Sequence, residues 1–299
     1  MKFSIITPSY NQGRFLTDCV ESVLSQLDAP KERRNVSADV NDVPMPGAPL
    51  ITSTTHPHGR SCITPPCFTF EHIVTDAGST DDTLEVLARY PHLQWTSEPD
   101  GGMSDGINKG FLKATGDWVM WLNCDDYLLP DALAKVAEFI GANPDADVVH
   151  GDCIYVNEDK NPIRRKYDTP VDEWDLLFVG CCIPSTSTFY KADIIRAGHL
   201  LNVDYRNCMD WEYYLRLIRL GFRYGYVPEA LAGFRWHEDS TTQKHWQRMI
   251  DEGLKCQREH INERKLPSCM QNASVLKVLR KAFQLRRVLK RINTHRKIR

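Results

Sequence analysis

The run Phe3-Ser4-Ile5-Ile6-Thr7-Pro8-Ser9-Tyr10-Asn11 decides the fold class. Residues 3–7 read as a short apolar strand, and Pro8 opens a polar stretch. Phe15, Leu16, Cys19, Val20, Val23 and Leu24 then recur at helical spacing. A short strand that runs through a polar join into an amphipathic helix is the repeating unit of a doubly wound sheet.

The same unit returns along the first 150 residues. Residues 71–75 form a second strand, and Ser79 is placed to cap a helix over 80–90, with Asp82 three positions on. A weaker strand at 93–96, a helix at 104–114 and an apolar strand at 118–122 follow. Pro130 introduces a helix over 131–142, and a strand at 147–150 closes the series. The expected fold is α/β, with a mostly parallel central sheet and helices on both faces. Beyond residue 150 the pattern becomes α+β. A hairpin is expected from 154–156 and 163–167, and a strand at 187–190. A helix over 211–220 shows core spacing at Trp211, Tyr214, Leu215 and Ile218, with further strands at 222–227 and 233–236.

Composition fits this picture. The chain has 299 residues, 42% of them hydrophobic and 25% charged, with a mean hydropathy of -0.41. These values exclude collagen-like, wholly disordered and polytopic membrane classes. The N-terminal segment is broken by proline too early for a signal-peptide core. Ten scattered cysteines then read as reduced thiols in a cytosol. Residues 27–69, rich in Pro, Ser, Thr and Asn, read as an insertion. His56, His58, Cys62 and Cys67 within it have no spacing of a closed zinc site.

Charge is distributed unevenly. Residues 264–299 hold twelve Lys or Arg and no Asp or Glu, so residues 1–263 carry a net charge of -14. Within the tail, Val275, Val278, Ala282, Leu285, Leu289 and Ile292 make an apolar stripe among basic residues. Such a helix can lie on anionic lipid or pack on protein. No motif points to nucleic acid. The expectation is a cytoplasmic protein, peripheral on the inner face of the membrane through residues 273–299.

In an open α/β sheet, ligands bind beyond the carboxyl ends of the strands. The unusual polar residues fall there: Thr7 to Asn11, Asp76 to Thr80, and Asn123-Cys124-Asp125-Asp126. A hard divalent cation would satisfy Asp125 and Asp126 and leave positions for phosphate oxygens and water. The plainer alternative is that Asp126 caps a helix and Asp76 belongs to a turn.

These pieces resemble family 2 glycosyltransferases of the GT-A fold. The resemblance rests on residues 4–11, Thr75-Asp76-Ala77-Gly78-Ser79-Thr80-Asp81-Asp82-Thr83, Asn108-Lys109-Gly110 through Asp117, and Leu122 to Asp126. It continues through Ile183-Pro184-Ser185-Thr186-Ser187-Thr188-Phe189, Met209-Asp210-Trp211-Glu212 and Phe234-Arg235-Trp236-His237, so it covers about residues 3–242 apart from the insertion. The resemblance implies a GT-A domain at 1–242 and a helical extension at 243–299. It also implies an enzyme that moves a sugar from a nucleotide-diphosphate donor to a glycan or lipid-linked acceptor in surface polysaccharide synthesis. Thr7, Pro8 and Tyr10 would lie against the nucleotide, and Asp76 would accept a hydrogen bond from the base. Asp105 and Asn108 would border the donor sugar. Asp125 is the implied metal-binding acid, with Asp126 beside it and His237 near the metal or diphosphate. Asp210 is the implied base. Asn123 stands where many relatives carry an acid, and its amide can still bond a ribose hydroxyl.

A divalent metal, Mn2+ or Mg2+, is thus expected, with a UDP- or dTDP-sugar favoured and a GDP-sugar as the alternative. A single base opposite the leaving group implies inversion, and of Asp210 and Glu212 only one should reach the acceptor. The alternatives are a nucleotidyltransferase acting on sugar phosphates and a non-catalytic nucleotide-sugar binding module.

Overall fold

The computed structural model describes residues 1–27, 68–238, 240 and 244–296. Most of the 27–69 insertion, with His56, His58, Cys62 and Cys67, lies outside the described residues.

Strand β1 (Lys2–Ser9) is paired in parallel with β2 (Thr69–Asp76) on one side and β4 (Trp118–Trp121) on the other. The outer strand β3 (Gln94–Ser97) pairs in parallel with β2. On the other side of β4, the short β8 (Thr188–Lys191) runs antiparallel to both β4 and β6 (Val148–Val156). Strand β6 then pairs in parallel with the long β9 (Tyr224–Arg235), whose inner end meets the two-residue β5 (Tyr127–Leu128). The hairpin strand β7 (Pro162–Lys166) pairs with β6. The sheet order is β3-β2-β1-β4-β8-β6-β9-β5.

Alternation along β1 and β4 distributes side chains to two cores. Phe3, Ile5, Met120 and Leu122 face the core under α1 (Gly13–Leu24), whose Cys19 and Val23 join it. Ile6, Val119 and Trp121 face the opposite core, with Ile107 and Phe111. These last two lie on a helix over Met103–Lys113, which is α3; α2 is Thr83–Ala88. A Cβ on Gly110 would stand 2.2 Å from Cγ2 of Ile6, so only glycine lets this helix seat on β1. Helix α4 (Ala132–Ala142) covers the first core. The second core is covered by α5 (Glu173–Val179), α6 (Ala192–Arg196) and α7 (Met209–Arg219).

Two C-terminal helices, α8 (Trp246–Glu263) and α9 (Ala273–Arg296), complete the described chain. Both pack on the body. Cys256 and Ile261 of α8 are buried in the second core, and Leu276, Leu279 and Phe283 of α9 lie against it. The basic side chains of α9 divide between two faces. Arg286 and Lys290 pair with Asp172 and Asp175, and Arg287 with the fully buried Asp168. Three of the cations expected around a lipid-facing stripe are therefore spent on the body.

Several local expectations take a different form. Ser79 does not cap a helix: α2 begins at Thr83, and the Ser79 hydroxyl donates to Asp76. The two strands expected at 222–227 and 233–236 are one strand, because Pro228 sits where the β6–β9 register shifts and the chain carries on.

Candidate active site

The carboxyl ends of β1, β2 and β4 are drawn together by side chains of their own loops. Asn11 adopts a left-handed conformation (φ 51°), which asparagine tolerates, and its Oδ1 accepts the Thr80 N–H at 2.8 Å. The Asn11 N–H in turn donates to Ser79 Oγ at 2.8 Å. Asp76, buried at the end of β2, accepts the backbone N–H groups of Gly78 (3.1 Å) and Ser79 (2.9 Å). It also accepts the hydroxyls of Ser97 (2.6 Å) and Ser79. Four donors fill the capacity of a carboxylate. Asp76 thereby shapes the loop that presents Ala77 to the cavity.

That cavity, of about 700 Å³, opens at the strand ends. Pro8, Tyr10, Asn123, Asp125 and Asp210 line it, so side chains from three distant parts of the sequence share one space. Opposite β1, the Gly101–Gly102 turn forms another wall. Gly102 has φ 116°, a conformation open to glycine, and the turn is held by Asp105, which accepts the Gly101 N–H at 2.9 Å.

Asp125 points to the cavity, and its Oδ2 lies 3.0 Å from Nε2 of His237. His237 follows the end of β9 and is buried, its ring 4.9 Å from that of Phe15 on α1. Among the described residues the imidazole Nδ1 has no hydrogen-bond partner, nor does the buried Oδ1 of Asn123. The Asp125 carboxylate at the cavity wall could hold a hard divalent cation, Mn2+ or Mg2+, while the His237 imidazole behind it is a ligand that Mg2+ does not favour. Among the described residues no three His, Cys, Asp or Glu side chains form a complete ion site. Diphosphate oxygens and water would therefore have to complete the coordination.

Asp126 is placed differently from its neighbour. It is buried, with Oδ1 accepting the Arg235 N–H (2.9 Å) and Oδ2 the Asn123 amide (3.2 Å). Burial and then the adjacent Asp125 charge push its carboxyl well above the usual range. It braces β9 behind the site instead of lining the cavity.

Asp210 occupies the second position of α7, after the N-cap Cys208. It is not the cap. Its Oδ1 accepts the Trp211 N–H at 2.7 Å, and its Oδ2 accepts the Cys181 thiol at 3.1 Å. Burial raises its carboxyl above the ordinary value, and these two donors oppose the rise. Glu212 is turned away, bonded to Arg216 at 2.7 Å. The loop leading into α7 is clasped by Glu252 of α8, which accepts the N–H groups of Asn207 (2.7 Å) and Cys208 (3.1 Å).

Two expected donor-site residues are structural in position. Thr7 is fully buried and bonds His72 at 2.8 Å. Asn108 clips α3 to the loop after α6 through both its amide atoms, each 2.9 Å from the backbone of Leu201. Conversely, Gln12, Arg206 and Ser240 line the cavity without having stood out in the sequence, and so does Ser185, which lies inside the run 183–189 but carried no assigned role. Arg206 sits three residues before the run that opens at Met209, which is the one signal that could have found it.

The model of the family described as glycosyl transferase family 2 matches residues 60–214, more than half of the chain. The chain belongs to glycosyltransferase family 2. A PGL/p-HBAD biosynthesis glycosyltransferase of Mycobacterium bovis is 33% identical over 156 residues, which are 50% of this chain and 59% of that protein. The match thus spans about six-tenths of the relative's length. Among solved structures, residues 1–349 of Staphylococcus aureus TarS in complex with UDP superpose with a TM-score of 0.61 at 18% identity. They cover 95% of this chain and 72% of that one. The mannosyltransferase PcManGT of Pyrobaculum calidifontis, in complex with GDP-Man and Mn2+, gives 0.56 at 16% identity, covering 93% and 68%. This family 2 chain therefore has the GT-A glycosyltransferase fold, parallel in its N-terminal half and mixed beyond.

Proposed function

We propose that this family 2 protein is an inverting glycosyltransferase that moves a sugar from a nucleotide-diphosphate donor to a hydroxyl of a glycan or lipid-linked acceptor. One observation carries the reading: Asp210 and Asp125, the latter bonded to the buried His237, lie on the walls of the same cavity. Surface polysaccharide synthesis at the inner face of a membrane is the setting we assign to it, with the catalytic unit at residues 1–242 and the helical extension at 243–299.

Pro8, Tyr10 and Ala77 would contact the nucleotide, and Asn123 a ribose hydroxyl. Asp125 and His237 would hold the cation, Mn2+ or Mg2+. Bound there, such an ion stabilises negative charge on a departing diphosphate. The Asp210 carboxylate has one donor on each oxygen and lone pairs left over, so it can accept the acceptor hydroxyl's proton. Its raised pKa makes it a stronger base than a solvated aspartate. With Asp210 as the single base, attack comes opposite the leaving group and the anomeric centre inverts.

A UDP- or dTDP-sugar is the favoured donor and a GDP-sugar the alternative. The UDP-bound TarS structure and the GDP-Man-bound PcManGT structure support a nucleotide-sugar of one of these classes. The test is incubation with a panel of UDP-, dTDP- and GDP-sugars, with and without manganese. The expected result is release of a nucleoside diphosphate from one donor, stimulated by manganese, with an inverted product by NMR. A retained configuration, or pyrophosphate released from a nucleoside triphosphate, would contradict the reading.

A further inference from the structure

The β6–β7 hairpin and the end of β9 carry a row of aromatic side chains that takes no part in the donor and metal contacts. Tyr155 on β6 stands opposite Phe234 on β9 and opposite Arg164 on β7, so the three side chains share one face of the sheet. The Trp236 N–H continues the ladder by donating to the Val156 carbonyl at 2.8 Å, and Trp236, two residues beyond Phe234, returns to the same face. The ring centroids of Tyr155 and Phe234 are 4.9 Å apart, and that of Trp236 lies 6.1 Å from the first and 6.4 Å from the second. The Arg164 guanidinium sits 4.2 Å from the centre of the Tyr155 ring. Trp236 is 38% exposed, and Phe234 and Tyr155 are only partly covered. An exposed aromatic patch with a cation at its rim marks a ligand surface.

The row runs out of the active-site cavity. Phe234 lines that cavity together with Asp210. Arg235 and His237, which alternate with the row, turn to the other face of the sheet. There Arg235 lies 4.5 Å over the ring of Phe15 on α1, and the His237 ring is 4.9 Å from it. Alternation along the end of β9 therefore sorts the site. His237, bonded to Asp125, is on the side of α1, whereas Phe234 and Trp236 are on the side covered by α7, which carries Asp210. The proposed cation and diphosphate belong to the first side, so the row serves what enters on the second, the acceptor.

We propose that this row is a subsite for a pyranose ring of the acceptor, next to the sugar whose hydroxyl meets Asp210. The acceptor is then a glycan of at least two sugar units. The chemistry selects this occupant. A pyranose presents a face of C–H groups that settles on the negative face of an aromatic ring, and a rim of hydroxyls. Phe234 and Trp236 supply the rings, and the exposed Arg164 brings planar N–H donors to the rim. An acyl chain would gain from the rings but would desolvate the guanidinium without pairing it. The nucleotide has its own wall on the β1 and β2 loops, at Pro8, Tyr10 and Ala77.

The inference rests on the proposed reading of a glycan acceptor, and direct binding tests it without an enzymatic readout. The full chain is labelled with 5-fluorotryptophan, and the Trp236 fluorine resonance is assigned by its loss in Trp236→Phe. The probes are maltotriose, chitotriose and mannotriose, each beside its monosaccharide, with decanoate as the acyl chain. The expected result is that a trisaccharide moves the Trp236 resonance and binds at least about tenfold more tightly than its monosaccharide. Calorimetry should then show that binding weakened at least about tenfold in Trp236→Ala and in Arg164→Ala, each with native circular dichroism. No shift with any trisaccharide, or native affinity in both variants, would overturn the subsite. A shift with decanoate and none with the sugars would assign the row to an acyl chain and overturn it equally. Binding of UDP and GDP with manganese is measured on the same proteins: its absence would contradict the transferase reading, while trisaccharide binding at Trp236 would still stand.

Discussion

The Cys181 thiol donates to Oδ2 of Asp210 at 3.1 Å, so a cysteine side chain holds a carboxylate that lines the cavity. Burial and then the neighbouring Asp210 charge push the Cys181 thiol well up, so it stays protonated and keeps its donor. Asp210 itself is raised by burial, and the thiol restrains that rise.

Removing the donor should therefore move the acid limb of the pH–rate profile. Cys181→Ala is expected to shift that limb to higher pH, since Asp210 then protonates more readily. Cys181→Ser, which restores an O–H donor, should return the limb towards its original position. Superimposable kcat/KM profiles for all three proteins would show that the contact does not tune the base.

The adjacent acids Asp125 and Asp126 should separate by function. Asp125 lines the cavity beside His237, whereas Asp126 accepts the Arg235 N–H in the interior. Manganese binding, followed by electron paramagnetic resonance, is expected to weaken by more than about 100-fold in Asp125→Asn and in His237→Ala. Asp126→Asn should keep the ion and lose thermal stability instead. Equal loss of manganese in Asp126→Asn would place both acids at the metal.

Acid stability should depend on Glu71. Burial raises its carboxyl, but hydrogen bonds from Lys2, Ser4 and Thr115 outweigh that and hold it at about 2, below its ordinary 4.5. A depressed folded-state pKa stabilises above the unfolded value and is lost as pH falls through the folded one. The expected outcome is that Tm falls between pH 4.5 and 2, and that Glu71→Gln is less stable at pH 7 with a flatter decline over that window. An unchanged slope in the variant would remove Glu71 from the account.

Much of this arrangement was legible in the sequence because strand ends carry their own punctuation. The runs ending at Asn11, Thr80 and Asp126 announce polar loops after apolar strands, and those loops do form one edge of the cavity. Which side chain faces the cavity was not legible. Asp125 and Asp126 are indistinguishable by spacing, and the Arg235 N–H with the Asn123 amide holds Asp126 inward. Thr7 and Asn108 look like binding residues at strand and helix ends, yet they satisfy buried partners at His72 and Leu201. Helix α5 escaped notice because seven residues give too few turns for a period, and its partner in packing, α9, lies about a hundred residues on. The basic stripe of α9 showed its composition, but not that Arg286, Arg287 and Lys290 would turn to Asp168, Asp172 and Asp175.

The most direct measurement is single-turnover kinetics and donor binding by Asp210→Asn, using the donor identified from the nucleotide-sugar panel. The variant keeps the size of the side chain and the acceptor for the Trp211 N–H, but removes the proton-accepting charge. The account predicts a fall in kcat on the order of 10²–10⁴-fold with the donor Kd unchanged. Turnover equal to that of the native chain would contradict it.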